Sequence, residues 1–304
     1  IRELVSADIF DNFPVYQHDS KNDSALVTVG TTSYGTTIQL NEKAVEADVV
    51  VTIGGVLYHY FAGFGGGAKM LMPGVAGYES IRTNHSLSID RHNLQFHPEC
   101  REGNIWTNPI YLDCIQVLQF LNNVHSLQVA LTPDGQLFHC EAGPVLDTQR
   151  KIIQTVEKLY SMPISGYRDV VIADAGGFPG DVNLIQVHKS IHHAVQAVKP
   201  GGTVILLASC SEGIGSKTFE PFLEATSTEE MAAWLARDFQ LNGQTALALR
   251  EKTKKAKIIL VSSLPESLVE KTEMTFASSL TEALQISGVS QGTSAYVLKN
   301  ANYY

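Results

Sequence analysis

Short valine-rich runs alternate with amphipathic stretches, and glycine or proline clusters separate them, which predicts an α/β protein. Two α/β domains with mainly parallel sheets are expected, with the active site in the interdomain cleft. The segment SMPISGYRD (161–169) has the Pro, Gly and Ser of a linker. Residues 1–160 then form an N-terminal unit and 161–290 a Rossmann-like C-terminal unit. The tail, 291–304, reads as a strand expected to pack back on the first unit.

Each element has its own signal. In the first unit, ALVTV (25–29) and DVVVTI (48–53) are short buried strands bounded by polar residues and glycine. Residues 108–121 and 145–159 read as amphipathic helices. In the second of these Val145, Ile152, Ile153, Val156 and Leu159 share a face. The second unit repeats the pattern more cleanly. A strand at 170–173 is followed by a Gly-Gly turn, a helix over 182–198, and Pro200-Gly201-Gly202 as its stop. Strands at 203–208 and 256–261 flank helices at 228–238 and 244–254, and 280–286 is helical. Strand–helix–strand at this spacing implies parallel pairing with right-handed crossovers.

Composition bounds the function. The chain is 44 % hydrophobic and 17 % charged, which is globular, and no apolar run reaches membrane-span length. A net charge of -9 argues against nucleic acid, whose phosphates require a basic surface. An anionic substrate must therefore find local positive charge. Four cysteines without a C-x-x-C pairing suggest neither a disulfide framework nor a zinc site, and a cytoplasmic location is expected.

The most informative stretch is HYFAGFGGGAKMLMPGVAGYESIRTNH, from His59 to His85. Lys69 lies ten residues after His59 and sixteen before His85, behind the glycines Gly63, Gly65, Gly66 and Gly67. Backbone of this kind can approach a ligand closely. It is not a Walker A loop, because Ala68 precedes the lysine and Met70 follows it. Nor does it meet the G-x-G-x-x-G spacing. The residues alone leave open a cofactor-holding lysine, a Schiff-base lysine, and a binding protein or inactive relic without cofactor.

The stretch resembles the signature of the nickel-dependent lactate racemase family. The likeness continues through Pro73, Gly74, Ala76, Gly77, Glu79 and Ile81, and through DAGGFPGDVNLIQVHKSI (174–191). It implies a racemase or epimerase acting on a small 2-hydroxy acid through a nickel-pincer nucleotide, with cofactor-biosynthesis proteins as partners. By this resemblance His59 is a catalytic base, Lys69 tethers the cofactor beside Gly65, Gly66 and Gly67, and His85 ligates nickel. Gln186 and Lys189 face the active site, and Lys189 offers positive charge to a carboxylate. Ile185 stands where a larger aromatic residue is common in the family, so the side chain of the acid stays open. The family's D-x-T-R-P phosphate motif and its second catalytic histidine do not occur here. By family spacing that histidine falls before Ile1, so roughly a hundred preceding residues are expected, on ordinary domain sizes.

Overall fold

The structure is a computed structural model that describes residues 5–302. Helix α1 (Ala7–Asn12), capped by Ser6, precedes an antiparallel hairpin, β1 (Leu26–Thr31) and β2 (Thr37–Asn41). Helix α2 (Glu42–Val45) leads into β3 (Val50–Gly55). Two small ribbons follow, β4 (Tyr58–His59) with β5 (Gly63–Phe64), and β6 (Ile89–Asp90) with β7 (Gln95–Phe96), separated by helix α3 (Tyr78–Ser86). Helix α4 (Pro109–Ile115) starts on Asn108, whose Oδ1 accepts from the amides of Ile110 and Tyr111, with proline in the first turn. It tightens to a 3-10 turn over Gln116–Phe120, so the helix expected at 108–121 is α-helical only in its first half.

Strands β8 (Val124–Leu131) and β9 (Leu137–Pro144) form a hairpin that joins β3 in the order β3-β8-β9. Only β3 and β8 run parallel there. The parallel pairing expected of both units is thus concentrated in the second. Helix α5 (Val145–Tyr160) packs on β8 and β9 through Val145, Ile152, Ile153 and Val156, as its periodicity implies. The other face of β3, with Val51 and Ile53, is exposed among the described residues.

The second sheet is wholly parallel. Strand β10 (Arg168–Asp174) is followed by helix α6 (Leu184–Ala197) and strand β11 (Val198–Leu207). Helices α7 (Thr228–Arg237) and α8 (Gly243–Lys255) precede β12 (Lys257–Val261), and α9 (Glu266–Lys271) precedes β13 (Thr275–Ala277). Helix α10 (Leu280–Ser287) leads to the last strand, β14 (Ala295–Leu298). The order is β13-β12-β11-β10-β14.

Two details differ from the sequence reading, and a third links the halves. The tail does not return to the first sheet. Residues 295–298 add beside β10 in the second, pairing Val170 with Ala295 through Ala173 with Leu298, because β10 there offers an open edge. Pro200-Gly201-Gly202 does not stop α6, which ends at Ala197. It lies in a register shift of β11, where Gly201 takes a positive φ. Finally, Ile89 is buried in the core of the second sheet's helices, beside Met231 and Leu235, so the β6–β7 ribbon bridges the two halves.

Candidate active site

The chain leaves the carboxyl end of β3 and makes the β4–β5 ribbon that carries His59. A glycine turn follows, then the 3-10 turn Gly67–Met70 that carries Lys69. His85 stands in the last turn of α3. Two glycines are needed for this path, but for contacts within the protein. Gly66 and Gly67 have φ of 69° and 57°. A Cβ on Gly67 would lie 2.4 Å from Gln149, and one on Gly66 2.7 Å from Val56. The Gly67 amide donates to Gln128 Oε1 at 2.9 Å. Gly65 is not so confined, since its Cβ would meet nothing closer than 3.7 Å. Of the three glycines expected beside a cofactor, Gly66 lines the cavity.

His59, Lys69 and His85 share one cavity of about 500 Å³. Tyr60 and Phe61 form part of its wall, and Leu241, Asn242, Gln244 and Thr245 close the opposite side. The cavity is therefore built from both halves of the molecule. Phe61 touches all three predicted residues. Its ring lies edge-on to His59 at 4.7 Å and to His85 at 5.2 Å, and Lys69 Nζ sits 5.7 Å from its centroid. Tyr60 Oη bonds Thr245 Oγ1 at 2.8 Å and ties the His59 segment to α8.

The three ionisable groups are held toward their neutral forms. Burial, then the nearby Lys69, lowers His85 to about 3. Burial lowers Lys69 to about 8, with Lys189 acting in the same direction. His59 falls well below the ordinary histidine value through burial, then Lys69, His85 and Lys189. Hydrogen bonds assign the tautomers. Asn84 Nδ2 donates to Ile110 O and to Asp113 Oδ2, which turns Asn84 Oδ1 toward His85 Nδ1 at 3.1 Å. His85 therefore carries its proton on Nδ1 and keeps a lone pair on Nε2. His59 is the reverse. The Ala62 amide donates to its Nδ1 at 3.2 Å, so the neutral ring holds its proton on Nε2.

Gln186 and Lys189 stand on α6, where Asn183 Oδ1 caps the Gln186 amide. Lys189 Nζ donates to Gln186 Oε1 at 2.9 Å, and its ammonium is close enough to depress His59 and Lys69. These two residues approach the site from the second half without lining the cavity wall. His188, His192 and His193 stand on the same helix and serve the interface, His188 lying edge-on to Tyr60 at 4.7 Å. His192 and His193 meet Glu102 Oε2 at 2.9 and 3.4 Å. His188 Nε2 accepts from Lys252 at 3.0 Å. Among the described residues no cluster of three or more His, Cys, Asp or Glu could hold a metal unaided. Phe61, Asn84, Gln244 and Thr245 were not legible in the sequence, because none belongs to a spaced motif.

Fold and site together define a class: an α/β protein whose interfacial cavity presents one amine of lowered basicity and two neutral imidazoles. Residues 1–96 match the lactate racemase N-terminal domain, and residues 165–300 match the lactate racemase C-terminal domain. Lactate racemases of Lactiplantibacillus plantarum and Thermoanaerobacterium thermosaccharolyticum are 32 % and 31 % identical over 212 residues, 70 % of this chain. That aligned stretch is 49 % and 48 % of their lengths, so the chain spans about half of the curated relatives it matches. A lactate racemase apoprotein structure from Thermoanaerobacterium thermosaccharolyticum aligns with a TM-score of 0.90 at 28 % identity, over 100 % of this chain and 73 % of that one. A crystal structure from Thermotoga maritima aligns at 0.71 with 15 % identity, over 95 % and 77 %, a likeness of fold. The chain belongs to the lactate racemase family.

Proposed function

We propose that this protein is an isomerase, a racemase or epimerase of a small 2-hydroxy acid such as lactate, working with a nickel-pincer nucleotide in the cytoplasm. The observation that carries the reading is the meeting of His59, Lys69 and His85 in one cavity. The residues present fit the group. An amine near pKa 8 has a neutral, nucleophilic fraction at physiological pH and can form an amide-like link. A neutral imidazole whose Nδ1 proton is engaged by Asn84 offers Nε2 to a metal. When bound, the cofactor supplies an electrophile that accepts and returns the substrate's α-hydrogen as hydride.

The chain's own residues would do the rest. Lys189, held by Gln186, attracts the substrate carboxylate against a net charge of -9. His59 exchanges the hydroxyl proton. Its resting tautomer donates from Nε2. Accepting there requires the proton to move to Nδ1 and releases the long Ala62 bond, at about 1 kcal/mol. The aromatic wall of Tyr60 and Phe61 excludes water. A Schiff-base use of Lys69 would leave the oriented His85 without a task.

Protein isolated from its native host should carry nickel and a mass increase on the Lys69 peptide. Lys69→Ala should lose the cofactor, His85→Ala the nickel, and His59→Ala racemisation alone. An unmodified Lys69 with no nickel in that material overturns the reading. Full turnover by His59→Ala removes its assignment as the base.

A further inference from the structure

The helix that carries Lys189 is gripped from the first half by one carboxylate. Glu102 belongs to the loop after β7, and that loop is pinned to the ribbon that carries His59. The Gly103 amide donates to Gly63 O at 3.0 Å, and Asn108 Nδ2 donates to Phe61 O at 2.9 Å. A Cβ on Gly63 would lie 2.4 Å from Asn104 O, so ribbon and loop meet backbone to backbone. Across the boundary Glu102 meets α6 one turn beyond Lys189. Gln196 Nε2 donates to its Oε1, while His192 and His193 stand beside its Oε2. His193 Nδ1 donates to Ala301 O at 2.5 Å, which leaves Nε2 to face the carboxylate. Oε2 is enclosed and has no aligned hydrogen bond among the described residues, so it depends on these two rings. Burial opposes ionisation of Glu102, but the contacts with His192 and His193 outweigh it and hold the carboxyl well below the ordinary range. Among the described residues its ion-pair partners all lie on α6. A charge removed from water and paired only across a boundary resists separation of the two sides.

We propose that Glu102 is a positioning residue for racemisation, which fixes α6 against the ribbon and so sets the span between His59 and Lys189. This inference rests on the racemase reading above. There the substrate reaches from one to the other, its hydroxyl toward His59 and its carboxylate toward Lys189. Glu102 does not line the cavity that holds His59, Lys69 and His85, so its effect passes through the helix. Reacting groups tolerate little misplacement, since a shift of about 1 Å from a remote change can cost about 100-fold in rate.

The test uses the full, cofactor-loaded chain. It measures kcat and KM with lactate, nickel and Lys69-adduct content, and the separation of two nitroxide labels by pulsed electron resonance. One label sits on Cys140 of the first half, the other three cysteines being buried, and the second on Lys271→Cys in α9. Glu102→Gln keeps the size of the side chain and removes its charge. It should lower kcat by about 10- to 100-fold and shift or broaden the label separation, with nickel and adduct retained. Joint replacement by His192→Ala and His193→Ala should do the same, and adding Glu102→Gln to that pair should cost nothing further. If Glu102→Gln does not fold, the histidine pair carries the test. Full turnover, or a fall in turnover with the label separation at its wild-type value, overturns the inference and leaves the racemase reading intact. A variant that loses nickel or the adduct assigns Glu102 to cofactor retention and also overturns it. If wild-type loaded protein does not turn over lactate, the racemase reading falls and takes this inference with it.

Discussion

At the scale of single residues, the orientation of His85 depends on a buried chain of hydrogen bonds. Asp113 accepts from Thr32 Oγ1 at 2.5 Å, and from Thr36 Oγ1 and Asn84 Nδ2 at 2.8 Å. Asn84 passes that order to the imidazole. Partners of this kind fix ring orientation, and their loss typically weakens metal binding about 10- to 100-fold. Asn84→Leu should therefore lower nickel affinity by about that factor in a chelator competition, while the Lys69 adduct persists. Unchanged affinity would show that the amide does not orient the ring. The spacing of His59, Lys69 and His85 was readable because a motif is a pattern along the chain. The role of Asn84 was not, because its partner Asp113 is distant in sequence and the pair has no periodic signature.

At the scale of elements, the glycine turn ahead of Lys69 makes opposite demands at neighbouring positions. Gly67→Ala places a Cβ against Gln149 at a positive φ and should cost about 1–3 kcal/mol, seen as a lower Tm. Gly65→Ala meets only ordinary contacts and should change stability by less than about 1 kcal/mol. Equal effects in thermal unfolding would refute this account of the turn. The sequence marked the glycine cluster but not which member is confined, since that depends on Gln149, far along the chain in α5. Helix α5 was legible for the complementary reason. Its apolar residues recur at helical spacing and meet one sheet face, so local pattern and burial agree. The β8–β9 hairpin escaped notice because the buried face of β8 is Ser126, Gln128 and Ala130, which do not read as an apolar strand.

At the scale of the whole molecule, Lys252 is removed from water where the second half packs on Tyr60 of the first. Lys252 Nζ donates to His188 Nε2 at 3.0 Å and Ala248 O at 2.9 Å, and burial lowers its pKa from 10.5 to about 7. The unfolded chain keeps that proton up to about pH 10.5, whereas the folded protein releases it near 7. Between these values the unfolded state binds more protons, so this lysine makes stability rise with pH. Lys252→Met should raise the Tm near neutrality and flatten the rise over that range. Parallel curves for variant and wild type would show that the amine titrates normally. Among the described residues no helix is long and apolar enough to cross a membrane.

By itself the sequence determined the α/β class, the parallel strands β10, β11 and β12 of the second sheet and the trio around Lys69, because periodicity and motif spacing are local properties of a chain. Only the tertiary structure decided that the final strand joins β10, that α8 supplies the far wall of the cavity, and that burial holds the lysine and both imidazoles toward neutrality. Those outcomes depend on which distant surfaces meet and on how much water their meeting removes.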